Sequence, residues 1–270
     1  MIISASIIAY LLFSTLAFMA ILFEHKWLER MSRLFALAGL AMHLYEILKR
    51  GFVAGRLPVT NTYETLLLLS LLIVTIFFLS LSRYRSNLIA GFVGILAALV
   101  LALSCLLSSE IEPLLPSLKS NWLLFHVSSA FIGYASFALG SASAAMYLLT
   151  YAKAPLLSRA STNPLDRDEK LRYFHWLAYR FISLGFPFLT LGIATGTIWA
   201  NATWGRYWNW DAKETWAFIT WITYGICLHL YRIPSFDGCK TAWVAILGFA
   251  TVLFTYFGVN FWFSSLHAYA

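Results

Sequence analysis

The residues able to do chemistry in this chain are four histidines and a dense group of tryptophans. Tryptophan stands at 199, 204, 208, 210, 216 and 221, so six of the eleven in the chain fall within 23 residues. An indole offers a broad apolar face and one N–H donor, which suits a large planar ligand with a polar edge. The bland alternative is an interfacial belt, in which the rings sit at headgroup depth and bind nothing. Belts scatter their rings over many helix ends, whereas this cluster lies on one short segment. His43, His126, His229 and His267 lie in or beside apolar runs. An ionisable side chain within a membrane span is by default a functional candidate.

The elements that must position these residues are membrane helices. The chain has 270 residues, 60% hydrophobic and 11% charged, with a mean hydropathy of +0.74. A soluble domain carries about 25% charged residues. The fold class is therefore an all-α polytopic membrane protein, a single integral-membrane domain over 1–270 with the Trp-rich segment at 199–216. Eight apolar segments have spanning length, near 2–23, 32–49, 64–82, 88–108, 122–151, 177–199, 213–231 and 241–263. The surplus of 19 basic over 12 acidic residues reports cytoplasmic loops rather than nucleic acid. The gaps after segments one, three, five and seven hold twelve Lys and Arg, and the other gaps six. This bias places both termini and the Trp-rich loop outside. The start, MIISASIIAY, has no basic n-region and reads as a retained helix. Cys105, Cys227 and Cys239 form no CxxC pair and read as packing residues.

Local signals refine the picture. Asp211 and Glu214 have the spacing of a reciprocal helix cap, so a helix should start near Ala212. In the outer gap GRLPVTNTYETLLLLS, Pro58 stiffens the turn and Asn61 or Thr62 can cap the third helix. His43 is either a ligand or a bonding partner of a neighbouring helix. His126 lies about one turn into helix five, above Ala130, Gly133, Phe137, Gly140 and Ala144. Small residues there imply close helix packing, which explains the glycines but not the imidazole. The stretch from Lys153 to His175 mixes charges and reads as a solvated loop with His175 at the surface. Gly185 and Pro187 should kink helix six. His229 lies 13 residues after Trp216, about 20 Å along a helix, near the inner end. Gly225, one turn earlier, clears space there for a flat macrocycle or for a neighbouring helix.

The segment WGRYWNWDAKETWAFITW resembles the tryptophan-rich WWD segment of the haem-handling proteins of cytochrome c maturation. Its KETWAFITW continuation resembles the CcsA (ResC) branch, the subunit that works with CcsB (ResB) in the System II cytochrome c synthase; the CcmC and CcmF relatives usually diverge after the aspartate. Two further stretches resemble the family: Pro58, Asn61, Tyr63 and Glu64 before helix three, and Asn260, Leu266, His267 and Tyr269 at the end. The resemblance implies haem b, held transiently and handed on. It implies His126 and His267 as external ligands of the haem iron, His229 as an intramembrane ligand, and Trp204, Trp208, Trp210, Asp211 and Trp216 as the haem-binding segment. Arg206 and Lys213 are candidates for the propionates. It implies a CcsB-type membrane subunit and apocytochrome c as partners, alongside membrane lipid and without nucleic acid. The reaction implied is thioether attachment of haem to a CxxCH motif in the bacterial inner membrane, or in thylakoids for a plastid-encoded chain. Two other classes stay open: a non-catalytic haem exporter of the CcmC kind, and a small-solute transporter with an aromatic gate.

Overall fold

The protein is described here by a computed structural model covering residues 2–80, 87–152, 165–233 and 238–263. Helix is the only regular structure among them: α1 (Ile2–Phe23), α2 (Lys26–Ala54), α3 (Thr62–Ser80), α4 (Asn87–Ser104), α5 (Asn121–Ala152), α6 (Leu165–Trp204), α7 (Ala212–Tyr231) and α8 (Gly238–Leu253). A π turn over Phe254–Gly258 leads from α8 into a final short helix, α9 (Val259–Trp262). Each expected apolar segment is thus a helix. Among the described residues, seven helices are long and apolar enough to cross a membrane. α7 has the length of a span, but Lys213, Glu214 and its threonines lower its hydropathy.

α2 and α6 are longer than hydropathy alone suggests. α2 begins at Lys26, carries a Glu29–Arg33 ion pair at 3.2 Å, and stops at Gly55, whose φ of 61° is the left-handed cap glycine accepts without strain. α6 begins at Leu165, inside the stretch expected to be loop. Its charges conceal an apolar stripe: Phe174, Leu177, Ala178 and Phe181 recur at helical spacing and are all buried. His175 is consequently half-buried rather than at the surface, with ring centres 5.8 Å from Tyr147 and 4.7 Å from Tyr231. At 40 residues, α6 is roughly 60 Å long, about twice the hydrocarbon core of a bilayer. Pro187 is accommodated within it. Of the three free cysteines, Cys227 is buried as a packing residue, whereas Cys105 is exposed.

The chain divides into two compact units after Ala135, within α5. In the first, small residues let α1 approach its neighbours. A Cβ on Gly94 would lie 2.7 Å from the Tyr10 carbonyl, and Ser14 Oγ donates to the Gly91 carbonyl at 2.7 Å. Lipid is as apolar as leucine, so such close packing and interhelical hydrogen bonds replace the hydrophobic effect as the source of association. In the second unit the small face of α5 serves the same purpose. A Cβ on Gly140 would meet Ile182 of α6 at 2.8 Å, and Phe137 stacks on the fully buried Tyr224 at 3.6 Å.

Candidate functional site

The Trp-rich segment is held by the cap expected from its sequence. Asp211 Oδ1 accepts from the Glu214 backbone N–H at 2.8 Å, and Glu214 Oε2 accepts from the Asp211 N–H at 3.4 Å. The same Oε2 accepts from the Asn209 N–H at 2.7 Å, while Arg206 donates to Asn209 Oδ1 at 3.0 Å. Gly205 leaves α6 at a φ of 71°, a left-handed conformation that glycine adopts freely. Trp210 also takes positive φ, 56°, which costs a bulky residue of order 1–3 kcal/mol and is sustained only where the surroundings enforce it. Here the two flanking hydrogen bonds to Glu214 enforce it, and the indole is left 66% exposed. The Asp211 carboxylate thus caps α7 and helps fix the backbone of the segment.

The tryptophans fall into three groups. Trp199 and Trp204 meet edge to face at 4.9 Å, with Trp199 buried. Trp208 and Trp210 meet edge to face at 5.6 Å, and both contact Phe218, at 6.5 and 6.2 Å. Phe218 continues into Trp221, stacked at 6.1 Å, and Trp221 into Phe186 of α6 at 5.4 Å. The Trp221 indole donates to Thr190 Oγ1 at 2.9 Å, which fixes its orientation. Trp216 turns the other way, against Phe254 at 4.1 Å, as expected for a residue two positions from Phe218 on a helix. The buried indole N–H of Trp208 has no hydrogen-bond partner. A buried donor left unmade is costly, and a carboxylate would satisfy it.

His229 lies in the last turn of α7 and is exposed. Trp221, Gly225 and His229 share a face at i, i+4 and i+8. A Cβ on Gly225 would sit 3.6 Å from the Phe186 ring, an ordinary contact, so anything larger than alanine would fill the face. An aromatic strip thus runs from Trp210 and Trp208 through Phe218 and Trp221 to the gap at Gly225, and ends at His229. Phe186, Phe218 and Trp221 were not among the sequence-derived site residues. The spacing of Phe218, Trp221, Gly225 and His229 is the signal that finds Phe218 and Trp221; Phe186 joins them from α6, which no local spacing marks.

The remaining candidates lie elsewhere. His126 is half-buried in the second turn of α5, in the first unit. His267 lies outside the described residues. His43 is completely buried, with Nδ1 3.2 Å from the Tyr10 hydroxyl of α1 and a buried Nε2 that has no hydrogen-bond partner, so it bonds a neighbouring helix and keeps one ring nitrogen unengaged. Arg50 and Arg56, counted in the sequence only as gap charges, converge on Glu64. Arg50 Nε donates to Glu64 Oε1 at 3.0 Å, and Arg56 donates to Oε2 at 2.9 Å. Thr60 adds its N–H and hydroxyl to Oε2 at 2.9 and 3.0 Å, and Asn61 caps α3 by accepting from the Glu64 N–H. The rest of the Arg50 guanidinium donates to the carbonyls of Ser109 and Glu110, at 2.7 and 3.0 Å. This ties the segment leading into α5 to the ends of α2 and α3.

Over 96% of its length the chain is 34% identical to the cytochrome c biogenesis protein CcsA of Trieres chinensis, spanning 93% of that protein. It is likewise 34% identical to CcsA of Cyanophora paradoxa, over 98% of this chain and 95% of the relative. Among solved structures, the cytochrome c haem lyase CcmF superposes with a TM-score of 0.71 at 19% identity, over 95% of this chain and 45% of CcmF, a likeness of fold. The profile of the family described as cytochrome C assembly protein matches residues 59–267, and this chain belongs to that family.

Proposed function

We propose that this chain acts in cytochrome c biogenesis as the haem-presenting subunit of a holocytochrome c synthase, with haem as cargo rather than resident cofactor. The observation that carries the reading is the aromatic strip that leads from the Trp-rich segment along α7 to His229. Its rings, Trp210, Trp208, Phe218 and Trp221 with Phe186, offer apolar area to a porphyrin. Its lower end meets an imidazole at His229 across the opening left by Gly225. Haem enters at His229 and leaves at the Trp-rich segment, where the Trp208 N–H meets a propionate. His126 and His267 supply the outer axial ligands, as the resemblance implies and the charge-derived orientation allows. A CcsB-type subunit supplies the second ligand at the inner station, as the resemblance implies.

At the outer face the two thiols of an apocytochrome CxxCH add across the haem vinyl groups. Each sulfur bonds one vinyl carbon and its hydrogen goes to the other, so no oxidant is consumed. The chain's part is positioning, which by itself accounts for large accelerations. The membrane is the bacterial inner membrane, or the thylakoid for a plastid-encoded chain, with both termini outside.

The test is the absorption spectrum of the chain purified with its partner subunit. A b-type haem signal is expected, together with its loss when Trp208, Trp210 and Phe218 are all changed to alanine. Normal haem content in the triple variant would return the tryptophans to a simple interfacial belt.

A further inference from the structure

A hydroxyl inside a membrane helix ordinarily bonds the carbonyl one turn back, because lipid offers it nothing else. α6 does so at Thr190 and Thr195, which donate to the carbonyls of Phe186 and Leu191 at 2.9 and 2.7 Å. Ser183 of the same helix departs from this. Its Oγ is buried and has no hydrogen-bond partner among the described residues. Four residues on stands Pro187, which carries no N–H, so the Ser183 carbonyl also lacks its ordinary helical donor. A buried polar atom left unpaired is costly. Two such groups on one residue mark a place where something else bonds.

The register between α6 and α7 says what lies opposite. Trp221 Nε1 donates to Thr190 Oγ1 at 2.9 Å, a Cβ on Gly225 would lie 3.6 Å from the Phe186 ring, and Tyr231 meets Tyr179 at 5.7 Å. As the α7 number rises the α6 number falls, so the helices are antiparallel. The rung between Gly225 and Tyr231 holds His229 on α7 and Ser183 on α6. Ser183 stands seven residues before Thr190, and His229 eight residues after Trp221, each about two turns along the same side of its helix. The pair therefore repeats, nearer the inner end, the placement in which the Thr190 hydroxyl accepts the Trp221 indole N–H.

An imidazole that holds iron through one nitrogen needs an acceptor for the N–H on the other, which fixes the ring and raises its basicity. Phe186, Trp221 and Gly225, its neighbours on this face, have no side-chain acceptor. We infer that Ser183 is the positioning residue of the inner station. Its hydroxyl accepts the second N–H of His229 and donates in turn to the Tyr179 carbonyl, as Thr190 donates to Phe186. The inference rests on the reading of His229 proposed above and adds the group that aims the ring.

The test uses the full chain with its partner subunit and compares Ser183→Ala, Ser183→Thr, Pro187→Ala and the reference His229→Ala. All are made in a His126→Gly background, where the outer iron lacks one axial ligand and the six-coordinate signal reports the inner station. Ser183→Ala should retain about tenfold less of that haem after washing, as loss of a bond behind a metal ligand does. The haem that stays should have a higher reduction potential, because the ring gives less charge to the iron. Ser183→Thr keeps the hydroxyl and should keep both values. Pro187→Ala gives the Ser183 carbonyl its missing donor and leaves the hydroxyl alone, so it should change neither.

Normal retention and potential in Ser183→Ala, with haem lost in His229→Ala, overturns the inference and leaves the reading intact. Normal haem in His229→Ala overturns both. Loss in Ser183→Ala that threonine does not reverse, at an unchanged potential, reduces Ser183 to packing and overturns the inference. A change in Pro187→Ala alone would give the role to the carbonyl and overturns it too.

A second readout needs no haem. With the three native cysteines changed to serine, Ser183→Cys and His229→Cys together should bind cadmium ions and be protected from a maleimide. Ser183→Cys combined with native Cys227, which points to the other side of α7 from His229, should not be protected. Absence of protection in the first pair overturns the register on which the inference stands.

Discussion

Trp221 and His229 lie two turns apart on the same face of α7, with Gly225 between them and the Phe186 ring beside the gap. Eight residues of helix place them about 12 Å apart, close enough for a porphyrin to pass from one to the other without leaving the face. Gly225→Ala should be nearly silent, because its Cβ makes only ordinary contact with Phe186. Gly225→Trp should block passage, leaving haem with the spectrum of the inner station and little holocytochrome. Haem content and product yield, measured on the same preparation, check this; normal yield from Gly225→Trp refutes a path along this face.

Asp211 tests whether a family aspartate acts on the ligand or on the backbone. Asparagine and serine cap helices about as well as aspartate, whereas alanine costs about 1 kcal/mol. Asp211→Asn and Asp211→Ser should therefore keep haem retention, and Asp211→Ala should lose part of it as the Trp210 conformation relaxes. Retention is read as the haem left after washing in detergent. If Asp211→Asn behaves like Asp211→Ala, the charge itself is needed and the capping role is insufficient.

The Arg50–Glu64–Arg56 cluster should dominate the stability of the first unit. Glu64 is fully buried and meets both guanidinium groups. Removing one partner of a buried ion pair costs about 3–5 kcal/mol, because the other charge stays buried. Glu64→Ala should lower the thermal transition in nanodiscs strongly. Arg56→Ala, which leaves the Arg50 bond in place, should do so less. Equal, small shifts would show that water or lipid headgroups compensate.

The histidines should separate by kind. His126→Gly and His267→Gly should load haem but lose synthase activity, and added imidazole should restore much of it. His229→Ala should instead reduce the haem reaching the outer site. His43→Ala should cost less haem than His229→Ala, because its Nδ1 is engaged by Tyr10 inside the first unit; Tyr10→Phe should show what that bond contributes to stability. Loss of haem in His43→Ala as deep as in His229→Ala would make His43 a ligand after all.

Hydrophobic period and local chemistry settled much in advance. The eight apolar segments became helices because length and composition decide that in lipid, where backbone groups must bond within their own segment. The cap at Asp211–Glu214 and the cap at Asn61 were legible because each is made within four residues. The start of α6 was hidden by its charges, since a helix that leaves the membrane carries its apolar residues on one stripe instead of in a run. What only the tertiary structure decided involves partners far apart in the chain. Trp216 faces Phe254 while Phe218 joins Trp208, because rotation about a helix axis assigns neighbours to opposite sides. Arg50 finds Glu64, Ser109 and Glu110, and Lys213 finds Asn260. Hydrogen bonds between helices depend on register and rotation, and those are fixed when the helices pack.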